Sequence, residues 1–593
     1  MERLGQRRYV NLRVIPEFIK VGHLDSEVQP DKQSGTHIQA GDRWAVQDEH
    51  TWMLAALSID SPASGQLPVV LLDFGIGNES NTRGWEGVVL IGGREYQGID
   101  RMHREVILPK DFLTTQTMLA CFLWSGLADP YQILALNYQG LLDMPTDDVY
   151  FTLKNILEVA DELHDDDPLK YRWFTYVDDL ARSIDMTQTN DKFFQDVRQV
   201  QSQLKAGLPS WPSSQSLVQV TALGHTHIDM AWLWRLGDSR EKAYRSFTTV
   251  LRFMDQFPDY HFIQSQPQLY EYVQADHPEL FPIIRQRVQE GRWEPIGAFW
   301  VETDTNLPSG EALIRQILWG TRYFVQQFGQ ETRVAWLPDT FGFSAALPQI
   351  LKRSGIHHFV TTKLSWNQTN PMPHDTFYWR GLDGSVVVAH FLTTPAPGEK
   401  FATYNGNLSA KSVMGLWKRY RDKARNQELL LAFGWGDGGG GPTRDMLENL
   451  DRLRGIAGAP TLVQSSLKSY LTQLDDRLNG SPDVPVWDGE LYLEYHRGTY
   501  TSQGRMKWFN RKLERVLHDL EVLWTQIASH GDNHYPHEKL ECDSWDTPYF
   551  LPKSSPLRHN WHPARKMTIA PIKESFGQGC GHSPMDPFPV SPV

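Results

Sequence analysis

LVQVTALGHTHIDMAWLW, residues 217 to 234, is the stretch on which the reading of this chain turns. A strand-length apolar run, 217 to 223, stops at Gly224 and gives way to two histidines and an aspartate at alternate positions. In an extended segment successive side chains alternate faces, so His225, His227 and Asp229 point one way and Thr226 and Ile228 the other. Metal-capable groups then converge at a strand end. Imidazole with carboxylate and no thiolate suits zinc or another divalent first-row ion. The plainer reading, histidines hydrogen-bonded beside a core, is equally open from these residues alone.

Downstream the same unit recurs: an apolar run, a polar loop, an amphipathic helix. TRVAWLPD leads to FSAALPQILKRSG, ELLLAFGW leads through a glycine-rich loop to RDMLENLDRLR, and TLVQSS leads to LKSYLTQL. This alternation predicts an α/β fold with a mostly parallel sheet, a barrel-like (β/α) catalytic domain over 217–486. Sites in such folds lie at the C-terminal strand ends, where the quoted loops fall. One helix is well marked. Pro308 and Ser309 open it, Leu313, Ile314, Ile317, Leu318, Phe324, Val325 and Phe328 form its stripe, and Gly329 ends it.

Upstream, short alternating runs such as PVVLLDFGI and WEGVVLIGG predict a β-rich domain over 1–144. Apolar residues then recur at helical spacing, giving a helical connector and a linker, GLPSWPSSQS, over 145–216. Residues 487–542 begin a helical bundle that does not finish. The 51 residues 543–593 carry nine prolines without lasting periodicity and read as an irregular tail.

With 593 residues and 40% hydrophobic content, the chain can fill two to four cores. A formal charge of −13 without a long basic run argues against nucleic acid or an anionic membrane as partner. Three scattered cysteines, Cys121, Cys542 and Cys580, offer neither a disulfide framework nor a cysteine zinc site. The first residues lack the apolar core of a signal peptide, and no run approaches the ~20 residues a membrane span needs. A cytoplasmic location is the expectation, with a vacuolar one open to a protein that lacks such a peptide. Twenty-one tryptophans and 21 tyrosines suit stacking on sugar faces as well as core filling.

Four further runs carry chemistry. In IGAFWVETDTNLPSGE, 296–311, Glu302 and Asp304 share a face if a strand continues, and a carboxylate at a strand end beside a metal is a nucleophile or base. AWLPDTFGFS puts Asp339 at a strand end, where it could equally form a turn. FGWGDGGGGPT, 433–443, sets Asp437 before four glycines but lacks the lysine of a phosphate loop, so close approach of backbone to a ligand is the better reading. WDGELYLEYHRGTYTSQ, 487–503, is rich in tyrosine. An amidohydrolase barrel also opens with His-x-His, but its later strand ends need more histidines, where this chain has aspartates and tryptophans.

Taken together, these runs resemble glycoside hydrolase family 38, the class II α-mannosidases, in the cytosolic and vacuolar branch. The matching text is GHTHIDMAWLW, WVETDTNLPSGEALIRQ, WLPDTFGFSAALPQI, TTKLSWNQTNPMPH, FGWGDGGGGPT and GELYLEYHRGTYTSQ, with YQGIDRMHRE at 96–105. The resemblance implies zinc held by His227, Asp229 and Asp304, with Asp304 also the nucleophile. It places Trp232 under the sugar, Asp339 and Tyr500 in the substrate pocket, and Asp437 as candidate general acid. The implied reaction is retaining hydrolysis of terminal α-mannosides in oligosaccharides of the free N-glycan type, its two carboxyls roughly 5–5.5 Å apart. The resemblance also allows an oligomer.

The likeness stops near YPHEKLEC. The family's fourth zinc ligand, a histidine in a Phe-His-Asp-like run, has no counterpart in DSWDTPYFLPKSSPLRHNWHPARK; His518 with Asp519, His559 and His562 are poor substitutes. The expectation is a truncated product whose last ~50 residues are out of register with the family's text, leaving apolar positions Phe509, Leu513, Val516 and Leu520 uncovered. The alternative function is therefore an impaired remnant that binds mannosides without turning them over.

Overall fold

The structure is a computed structural model; it describes residues 1–22, 35–75, 83–115, 118–187, 190–208, 218–396, 398, 400–479 and 481–530. The tail, with His559 and His562, and most of the 207–216 linker lie outside the described residues. Two units separate, one comprising Met1–Asn306 with Gln316–Arg497, the other Leu307–Arg315 with Gly498 onward.

The first unit begins with two antiparallel sheets. Six strands run in the order Thr36–Ile38, Phe18–Val21, His50–Ala56, Met118–Trp124, Glu86–Ile91, Arg94–Asp100; four run Tyr9–Val14, Tyr138–Asp143, Gln66–Leu71, Glu105–Ile107. Met53, Ala55, Val89 and Cys121 of the larger sheet share a core with Val70 and Val106 of the smaller. The alternate residues Trp52, Leu54, Val88, Leu90 and Ala120 form a second apolar cluster on the opposite face, and Tyr244 packs against it. Both faces are covered, which is why these strands read as continuous apolar runs. Tyr244 lies on helix Leu236–Gln256, so this sheet is built against a helix of the catalytic region. Asp143 accepts from Thr146 N–H to cap the helix Met144–Glu162, and Pro145 occupies its first turn.

The parallel α/β region centres on the strand Gln219–His225, which pairs in parallel with Phe262–Gln264, Glu428–Phe433 and Thr461–Val463, with Trp293–Pro295 beyond Phe262–Gln264. A second sheet runs Val334–Trp336, His358–Thr361 and Val386–Phe391 in parallel, then Thr376–Arg380 antiparallel and Val486–Asp488. Mostly parallel strands with intervening helices match the expectation, but their pairings fall in two sheets. Leu223, Ile263 and Ala432 from the first sheet meet Trp336, Val360 and Val388 from the second in one core. Gly224 is required where the central strand turns out: a Cβ there would stand 2.5 Å from the Tyr260 hydroxyl. The loops that leave the C-terminal strand ends carry the chemistry.

The marked helix spans Gly310–Phe328, and Gly329 ends it at φ +67°. Its apolar stripe is narrower than the sequence suggested: Leu313, Ile317 and Phe324 are buried, whereas Ile314, Leu318 and Val325 are exposed.

In the second unit, helix Gly504–Ser529 packs on Leu307–Arg315. Arg315 makes a two-pronged pair with Glu521 at 2.7 and 2.8 Å, and Glu514 accepts from Ser309 N–H at 3.2 Å. Its exposed apolar residues are Trp508, Val516, Val522, Leu523 and Ile527; of the expected set, Phe509, Leu513 and Leu520 are half-buried. Among the described residues no helix is long and apolar enough to cross a membrane.

Candidate active site

The central strand ends at His225, so the strict alternation expected of HTHID stops there. His225 is buried and accepts the Trp336 indole N–H at 3.1 Å, and burial with the nearby His227 charge pushes it down to about 3. It is a neutral packing residue. His227 and Asp229, in the loop, turn toward each other, with Nε2 3.5 Å from Asp229 Oδ1. His227, Asp229 and Asp437 each offer a ligand atom, all within 4.8 Å of one another.

Glu302 supports this group from the loop after strand Trp293–Pro295. Its Oε1 accepts from the backbone N–H of Asp339 at 2.6 Å and of Thr340 at 2.8 Å, while Oε2 lies 2.9 Å from His227 Nδ1. That last approach is an ion-pair distance without hydrogen-bond alignment, so both His227 nitrogens, Asp229 Oδ2 and Glu302 Oε2 are buried with no hydrogen bond. Such orphaned atoms are costly. Burial alone would lower His227, but Glu302 and Asp229 hold it well above its ordinary range. An imidazole turned toward carboxylates, with a second carboxylate behind it, is the donor set and outer support that a divalent cation takes. The residues present fit a metal.

Asp304 is not part of this group. The expectation that it shares a face with Glu302 needed a strand, and the strand ends at Pro295; Asp304 Oδ1 instead accepts from Asn306 N–H at 2.6 Å. Asp437, not Asp304, is the carboxylate that stands beside His227 and Asp229.

Asp339 stands in the loop after Val334–Trp336. Its Oδ1 accepts from Lys363 Nζ at 2.5 Å and lies 2.7 Å from the Tyr404 hydroxyl. That hydroxyl is also 2.7 Å from Asp437 Oδ1, so the two carboxylate oxygens are at most twice that, 5.4 Å, apart. Enclosure would raise Asp339, but Lys363 and His227 outweigh it and hold the carboxyl below its usual value. Enclosure pushes Asp437 up to about 6, against the pull of His227 and helped by the Asp339 charge. A hydroxyl has one proton to give, so Tyr404 donates to one of the two carboxylates at a time. Asp437 is the one pushed toward protonation.

Trp232 is 53% exposed and set edge-on to Trp234 at 5.9 Å, leaving a face open. Tyr500 falls in the second unit. Sequence reasoning missed Tyr404, for which nothing in ATYNGN gave a signal, and Lys363, although TTKLSWNQTNPMPH had been singled out. It noticed Glu302 but not its bridging position.

A strand-end cluster of one histidine and several carboxylates, one lowered and one raised from the ordinary carboxylate range, holds the residue types that metal-assisted hydrolysis uses. The chain belongs to glycoside hydrolase family 38: residues 217–490 match the Glycosyl hydrolases family 38 N-terminal domain and 494–548 the Alpha mannosidase middle domain. It is similar to Alpha-mannosidase G of Dictyostelium discoideum, 44% identical over 311 residues, 52% of this chain and 28% of that protein. Alpha-mannosidase 2C1 of Homo sapiens is 43% identical over 54% of this chain and 30% of its own length. Alpha-mannosidase of Saccharomyces cerevisiae is 42% identical over 56% and 31%. The matched region thus spans roughly three-tenths of each of these relatives.

Proposed function

We propose that this chain is a retaining α-mannosidase acting on terminal α-mannosides of oligosaccharides, with Asp339 as nucleophile and Asp437 as general acid. The observation that carries this reading is the pair of carboxyls around Tyr404, one held below the ordinary carboxylate range and one pushed up to about 6, with near oxygens no more than 5.4 Å apart. Such closeness is compatible with the roughly 5–5.5 Å between carboxyls that retention uses. The nucleophile therefore moves from Asp304, the residue expected from the resemblance, to Asp339.

In the first step Asp339 attacks the anomeric carbon as the glycosidic C–O bond breaks, and the Asp437 proton passes to the leaving oxygen. Lys363 and Tyr404 keep Asp339 ionised until then. In the second step Asp437, now a base, takes a proton from water, whose oxygen displaces Asp339 from the anomeric carbon and releases mannose. Trp232 offers its open face to the sugar ring. His227 and Asp229 would hold the divalent ion, which we read as zinc, and the chemistry it supplies when bound is Lewis-acid orientation of sugar hydroxyls. As in the branch that the motifs resemble, we expect free N-glycan-type oligosaccharides in the cytoplasm to be the substrate.

The test is hydrolysis of 4-nitrophenyl α-mannoside by the purified chain before and after chelation. Turnover lost on chelation and regained with zinc is expected; a folded, metal-loaded chain that turns over no α-mannoside would overturn the proposal.

A further inference from the structure

The loop carrying Asp437 is held by groups that the proposed chemistry does not use. Residues 437, 438, 440 and 441 all have positive φ, from +54° to +87°, and the loop is closed at its base by Trp435 and Gly441, which exchange backbone hydrogen bonds at 2.9 Å. Gly438 N–H donates to His227 O at 3.2 Å, which ties the loop to the metal-capable group on one side. On the other side Arg245, on helix Leu236–Gln256, donates to Gly438 O. His103 Nε2 lies 2.9 Å from Pro442 O, with Nδ1 3.0 Å from Asp100. Asp100 also pairs with Arg245, which lies 3.1 Å from Glu86, itself paired with Lys242.

Every member of this network is at most 5% exposed. The loop also fits against it with no room to spare: a Cβ on Gly440 would stand 2.6 Å from Asp100 Oδ2 and 2.8 Å from His103 Cε1, and one on Gly438 2.6 Å from Lys242 Cδ. Buried charge is expensive unless paired, and pairing alone would not need contacts to two carbonyls of the same loop. Glu86, Asp100 and His103 come from the β-rich region that precedes the catalytic strands.

We infer that Arg245 and His103 are positioning residues for Asp437, so that the N-terminal β region completes the active site by fixing the path of the glycine-rich loop. This rests on the proposed role of Asp437. Arg245→Lys keeps the charge facing Asp100 and Glu86 but has one nitrogen where the guanidinium uses two, so it loses the reach to Gly438 O. His103→Ala removes the contact to Pro442 O, and His103→Gln can restore it.

Misplacing an acid harms substrates that need protonation and spares those with good leaving groups. In Arg245→Lys and His103→Ala, kcat/KM for α-mannobiose should fall roughly 10–100-fold, while that for 2,4-dinitrophenyl α-mannoside stays within about threefold. His103→Gln should recover most of the loss. Equal losses on both substrates, or none on either, would overturn the inference. Should His103→Ala fail to fold, Arg245→Lys alone decides it. If the unaltered chain hydrolyses neither substrate, the functional reading fails, and hydrogen exchange of residues 434–443 still tests the positioning: faster exchange in the variants supports it, unchanged exchange refutes it.

Discussion

Replacing Tyr404 by phenylalanine probes the shared proton most sharply. The ring is buried and set edge-on to His227 at 5.2 Å, and phenylalanine keeps that packing while removing the hydroxyl alone. Burial, reinforced by Asp437 and Asp339, holds the tyrosine well above its ordinary pKa, so it is neutral across any practical assay range. A hydrogen bond to a charged group contributes about 1.5–3 kcal/mol, and losing one that matters in the transition state lowers kcat/KM roughly 10–150-fold. The direction of the pH effect also follows. The Tyr404 contact lowers Asp437, so without it the acid keeps its proton to higher pH and the basic limb moves upward from about 6. Steady-state kinetics on an aryl α-mannoside between pH 4.5 and 8 reads both quantities. A variant within about twofold of the parent in kcat/KM, with an unmoved limb, would refute the reasoning, because the bond would then carry no weight in the transition state.

Other consequences are checked with less. Asp339→Asn should cost more than roughly a thousandfold in kcat, whereas Asp304→Asn, which alters a loop contact to Asn306, should cost far less; the reverse order would restore Asp304 as nucleophile. Gly440→Ala forces a side chain to φ +87° against Asp100 and His103, which should cost roughly 1–3 kcal/mol and show as a lowered Tm. For Asp100, burial would raise the carboxyl, but His103 and Arg245 hold it below its ordinary value. Its contribution to stability is therefore complete above about pH 4 and is lost as pH falls through the depressed folded value. Thermal melts of Asp100→Asn should lie below the parent's at pH 6 and approach them in acid; a gap that widens in acid would contradict the sign.

The sequence revealed what depends on local pattern. Apolar runs followed by polar loops and amphipathic helices gave the parallel α/β region, and HTHID and GDGGGG gave His227, Asp229 and Asp437. Failure came where the pattern was extrapolated. Asp304 was grouped with Glu302 on the assumption of a continuing strand, yet the strand ends at Pro295; in the loop beyond it Glu302 Oε2 lies 2.9 Å from His227 Nδ1, and Asp304 accepts from Asn306 N–H. Tyr404 and Lys363 were invisible because their importance lies in what other loops bring to them. Asp339 and Asp437 are 98 residues apart in the sequence and meet only through one hydroxyl. The support of the glycine-rich loop was hidden for a similar reason, since Asp100 and His103 precede it by more than three hundred residues.

The identity of the nucleophile is the centre of this account, and trapping the glycosyl-enzyme tests it directly. The metal-loaded chain would be incubated with a 5-fluoro-mannosyl fluoride, which forms the covalent intermediate faster than it breaks down, then digested and sequenced by mass spectrometry. The account predicts a mannosyl-derived adduct on Asp339, within AWLPDTFGFS. An adduct on Asp304, or inactivation with no adduct on either aspartate, would contradict it.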